Sequence, residues 1–155
     1  MGYITTNVKN RDAQSQYLLS QADMTQLWLG AFVGGYKGAV KRWFTFRRPR
    51  DPMAGIEKKA TAFGCSEALA AISLYKAQGR LPSADCYIDE DNSHAMVLMT
   101  AEDLMAFYEP ACAEGFLAGW TLVVLGLLNE FDAYRDAVPC ATSRLQRMLG
   151  QAALK

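Results

Sequence analysis

The sequence predicts a mainly α-helical fold, a single-domain helical bundle over residues 1–155 with one small β-hairpin near residues 86–99. Three observations lead there. Apolar residues recur at three- and four-residue steps over 24–39 and again at Leu145, Met148 and Leu149. Residues 115–128 contain no charged side chain; at about 1.5 Å per residue they are too short for a membrane core and suit the centre of a bundle. Only around 86–99 do short apolar runs flank a polar turn. A chain of 155 residues, 51% hydrophobic and 21% charged, builds a core without disulfides or metal and is neither disordered nor collagen-like.

Residues 1–10 are polar and read as a loose N-terminal arm. Asp23 is placed to cap a helix over 24–46, whose buried face would use Met24, Leu27, Trp28, Ala31, Phe32, Gly35 and Ala39. Gly30, Gly34 and Gly38 lie four apart on it. Each interior glycine costs about 1 kcal/mol against alanine, so the stripe predicts a close helix crossing, within the chain or in a homodimer. Pro49 ends this helix, and Asp51-Pro52 reads as the N-cap and first position of the next. That second helix would reach Phe63, with a break at Gly64, a continuation over 66–75 and closure at Gly79 and Pro82.

Cys86-Tyr87-Ile88 and residues 95–99 would form the hairpin around the acidic turn at 89–93. Thr100 and Asp103 have the spacing of a capping box and start a short helix. Pro110 opens the next helix, Pro139 ends that region, and Thr142 or Ser143 caps a last amphipathic helix carrying Leu145, Met148 and Leu149. No internal repeat, low-complexity tract or interdomain linker is evident.

The formal net charge of zero hides a division. Residues 1–80 hold twelve Lys/Arg against five Asp/Glu, and residues 81–155 hold four against eleven, so the halves carry +7 and −7. The densest positive segment also contains aromatics: Lys41, Arg42, Trp43, Phe44, Phe46, Arg47, Arg48 and Arg50. Arginine forks suit carboxylates and phosphates, and exposed aromatics suit apolar pockets or bases. The expected function is a non-enzymatic interaction protein, an inhibitor or adaptor. Its partner would be a protein or ribonucleoprotein with an acidic surface, bound through Lys41, Arg42, Trp43, Phe46, Arg47, Arg48 and Arg50. The alternative is direct nucleic-acid binding by the same residues, with steep salt dependence. The competing structural reading buries the aromatics and leaves the cations solvated or paired with the acidic half.

No motif specifies a reaction, and no catalytic residue, cofactor or metal is expected. Cys65, Cys86, Cys112 and Cys140 lack C-x-x-C spacing, and His94 is the only histidine, so paired zinc knuckles and di-iron Glu-x-x-His sites are both excluded. Asp89, Asp91 and Ser93 begin like a calcium loop, but His94 and Thr100 stand where Gly and Glu are required. A small cysteine-dependent enzyme using Cys86 and His94 is the third reading, without a nucleophile elbow or oxyanion loop to support it. The polar N-terminus has no signal-peptide pattern and no segment reaches a membrane span, so free thiols in a cytoplasmic protein are expected.

Overall fold

The computed structural model describes residues 5–7, 16–78 and 96–153. Among these, three short strands precede or separate four long helices: β1 (Thr5–Asn7), β2 (Gln16–Ser20), α1 (Gln21–Thr45), α2 (Ile56–Gln78), β3 (Met96–Thr100), α3 (Ala101–Val124) and α4 (Glu130–Ala153). The protein is a mainly α-helical bundle, as its periodicity predicts. The strands form one antiparallel sheet in the order β1-β2-β3. Within the stretch expected as a loose arm, Thr5–Asn7 pairs with β2. The expected hairpin contributes β3, whose partner is β2; its other arm and turn, 86–95, lie outside the described residues.

Each of the two central helices begins where a strand ends. Ser20 closes β2 and caps α1: its Oγ accepts from the Asp23 N–H at 3.1 Å, and the Asp23 carboxylate accepts from the Ser20 N–H at 2.9 Å. Asp23 is therefore the third-position member of a capping box rather than the N-cap expected of it. Thr100 and Asp103 make the same reciprocal pair for α3, at 3.1 and 3.0 Å.

Several expected breaks are absent. Pro110 lies inside α3 and Pro139 inside α4. Each proline removes one N–H donor, but the flanking Ala111, Cys112, Ala137 and Ala141 are buried in the core and keep the helix continuous. Gly64 also lies mid-helix, because a Cβ there would come within 2.6 Å of the Glu109 carbonyl oxygen on α3. Asp51 and Pro52 belong to a turn, with Ala54 N–H bonded to the Asp51 carbonyl at 3.2 Å and Gly55 at φ 65°; α2 starts only at Ile56. The uncharged stretch stops being helical at Val124. Gly126, at φ 71°, lets the Leu127 N–H reach back to the Leu122 carbonyl at 3.0 Å.

The β2–α1 and β3–α3 units form an internal repeat in the structure, one that the sequence does not show. A constant offset of 80 residues carries Gln16 to Met96 and Ser20 to Thr100, so β2 maps onto β3 and one capping box onto the other. In the β2–β3 ladder Leu18 faces Leu98, a pair related by that offset. The crossing of α1 and α3 obeys it too. A Cβ on Gly35 would lie 1.9 Å from the Cys112 carbonyl oxygen, and one on Gly115 would lie 2.0 Å from that of Phe32. These contacts are mutually inverse under the offset, as expected of a local two-fold axis through Leu18–Leu98 and the glycine crossing. The outer helices exchange partners accordingly: α2 packs on α3, and α4 packs on α1. Between 16 and 45 only Leu18, Asp23, Ala31 and Gly35 are identical to their counterparts, too few to show by inspection.

The close crossing therefore uses Gly35 and Gly115. Gly38 packs against the Phe63 ring of α2 in the same chain, and a Cβ on Gly34 would meet only the Tyr108 hydroxyl at 3.8 Å. Around the crossing, Phe32, Tyr36, Val40, Cys112 and Phe116 form the centre of the core.

Candidate functional site

The basic–aromatic segment ends α1 and crosses to α2. Lys41, Arg42, Arg47, Arg48 and Arg50 are all exposed, and none of them pairs with a carboxylate among the described residues. Phe46 caps the helix through its N–H to the Arg42 carbonyl at 3.0 Å, while its ring remains 63% exposed. Trp43, an apolar anchor only if exposed, is buried. It is 9% exposed and meets the Trp120 ring edge-on, centroids 5.4 Å apart at 84°. A period-3.6 face continuing from Tyr36 and Val40 turns this indole inward.

These residues line a cavity of about 200 Å³ with help from three distant positions. Arg42, Trp43, Phe46, Arg47, Arg48 and Pro49 come from the segment itself, Lys59 from α2, and Phe116 and Trp120 from α3. Lys41 and Arg50 flank it without lining it. Phe116 and Trp120 stack with centroids 5.9 Å apart, and the Trp120 indole N–H donates to the Pro52 carbonyl at 2.8 Å. That bond fixes the 46–55 connection over the end of α3. The floor is aromatic, the rim carries four cations, and no carboxylate lines it among the described residues.

Two of the arginines are held by stacking. The Arg48 guanidinium carbon lies 4.5 Å from the Trp43 ring centroid, and that of Arg42 lies 5.4 Å from the Phe63 centroid. A guanidinium laid on a ring spends its π face and keeps its in-plane N–H donors for an oxyanion.

Lys59, Phe116 and Trp120 escaped the sequence reading. Lys58-Lys59 is a legible charge pair beside the segment, but Phe116 and Trp120 sit in an uncharged helix, where aromatics read simply as core. The calcium-like turn at 89–93 and the Cys86/His94 pair lie outside the described residues. Among the described residues Cys65, Cys112 and Cys140 are free thiols, no group of His, Cys, Asp and Glu could hold a metal, and no helix is long and apolar enough to cross a membrane. Burial in the core pushes the Cys112 thiol up to about 12.

Comparison with protein-family models, characterised proteins and solved structures gives no match for the chain.

Proposed function

We propose that this is a non-enzymatic binding protein that captures an acidic macromolecular partner on the face built by Arg42, Phe46, Arg47, Arg48, Arg50 and Lys59. The observation that carries this reading is the internal repeat. The offset that relates the halves carries Arg42 and Trp43 to Leu122 and Val123, and the equivalent end of the molecule, 122–129, contains no charged residue. Its connection spans five residues, 125–129, against ten at 46–55. The same architecture is thus completed at one end without a single cation. The architecture does not require cations there, although Arg42 and Arg48 lie over aromatic rings, and five cations in ten residues repel one another at a cost that partner binding offsets.

Charge reversal at Arg47 and Arg48 tests the reading. The double variant Arg47→Glu/Arg48→Glu is expected to melt close to wild type, since exposed substitutions move stability by about 0.5 kcal/mol each. It is expected to lose partner capture through reduced attraction and added repulsion. Loss of folding would make these arginines structural, and undiminished capture would move the interface elsewhere. Capture of nucleic acid instead of protein, weakening steeply with salt, would favour the alternative partner class.

A further inference from the structure

We propose that the cavity under Arg42, Arg47, Arg48 and Lys59 seats one aromatic side chain of the partner, carried within a run of carboxylates. The inference rests on the acidic-partner reading and specifies its central contact. An aromatic floor inside a cationic rim is the complement of a ring flanked by negative charges. Buried aromatic anchors ringed by polar contacts are where binding energy concentrates. The cavity of about 200 Å³ holds one ring and is no track for a strand.

The site is also prepared in advance. Trp120 is bonded to the Pro52 carbonyl, Trp43 is wedged against Trp120, and Arg48 is stacked on Trp43. The partner's carboxylates meet guanidinium edges already placed, so little side-chain freedom is lost on binding. Phe46, the most exposed ring at the rim, is positioned to cover the entering side chain. A polynucleotide would need cations repeated along its backbone path. Here they cluster around one opening, in a molecule whose other half carries −7.

The test uses the intact protein and follows tryptophan emission. Two of its three tryptophans, Trp43 and Trp120, line the cavity. The probes are the blocked peptide Asp-Glu-Asp-Phe-Glu-Asp, the same peptide with Ala in place of Phe, and a ten-nucleotide oligothymidylate, at about 150 mM salt. The Phe peptide is expected to shift the emission and to bind at least about ten-fold tighter than the Ala peptide, as loss of a seated aromatic implies. Arg48→Glu/Lys59→Glu should weaken it by about ten-fold or more; Lys59→Gln, the milder change, should weaken it less with an unchanged melt. Equal binding of the two peptides would overturn the aromatic seat while leaving the acidic-partner reading intact. Binding of neither peptide would overturn the seat as well, and partner capture by wild type against Arg47→Glu/Arg48→Glu then decides the broader reading separately. Tighter binding of the oligonucleotide than of the Phe peptide would overturn both.

Discussion

Gly34 and Gly35 are neighbours on α1 under opposite constraints. Gly35 lies where two backbones touch, and an added methyl would fall 1.9 Å from the Cys112 carbonyl oxygen. Backbone atoms cannot step aside as a flexible side chain can, so Gly35→Ala forces the helices apart. The expected cost is about 3 kcal/mol, the upper range for overpacking. At Gly34 the nearest neighbour is a hydroxyl at 3.8 Å, an ordinary contact. There Gly34→Ala gains the helix propensity of alanine, up to about 1 kcal/mol, and raises stability. Urea unfolding of the two variants beside wild type checks both signs. Equal effects would show that the crossing is looser than the glycine contacts imply. Sequence periodicity places Gly35 on the buried face, whereas of the regular Gly30-Gly34-Gly38 stripe Gly38 lies against another helix, at Phe63 of α2, and Gly34 does not make the close crossing. What distinguishes them is the partner helix, which no local pattern contains.

At the scale of elements, local signals were readable and long-range ones were not. Thr100-x-x-Asp103 announced its capping box because the motif is complete within four residues. Pro110 and Pro139 misled because the packing that outweighs each lost N–H comes from residues far along the chain. The cavity was half legible for the same reason: 41–50 is contiguous, whereas Trp120 joins it only through the fold. Helix α4 shows what such long-range ties contribute. Its inner face is a stripe of small residues, Ala133, Ala137 and Ala141, and it is bonded to α1 by the Tyr36 hydroxyl, which donates to Asp136 at 2.8 Å. Beside that stripe Tyr134, Val138, Cys140 and Leu145 pack against the core and Arg144 pairs with Glu114 of α3, so this bond is one of several ties that dock α4. Tyr36→Phe is expected to cost about 1.5–3 kcal/mol, the range for a hydrogen bond to a charged acceptor. Amide exchange in α4 should accelerate more than in α3. Uniform acceleration across the bundle would instead place the loss in global stability.

For the molecule as a whole, the alkaline limb of stability follows from what the core buries. Burial raises the Tyr36 and Tyr108 hydroxyls and pushes the Cys112 thiol from 9.0 to about 12. Each group keeps its proton in the folded state at a pH where the unfolded chain has lost it. With fewer protons bound unfolded than folded, stability falls as pH rises. The contribution is complete below about 9 and is lost between there and about 12 for the thiol. The melting temperature should accordingly be flat toward neutrality from this source and decline above pH 9. Cys112→Ala should shallow that decline while lowering stability at neutral pH through the lost packing. An unchanged slope in the variant would assign the alkaline loss to the tyrosines alone.

The pairing of Leu18 with Leu98 and the contact of Gly35 with Cys112 also dictate how the chain reaches this state. Both join residues about eighty apart, so neither half completes its apolar face until the other arrives. Closing a loop of that length is slow relative to forming a helix turn, since the entropic cost precedes any reward from contacts. The meeting of α1 with α3 is therefore the expected slow step of folding, checked by comparing the refolding rates of wild type and Gly35→Ala.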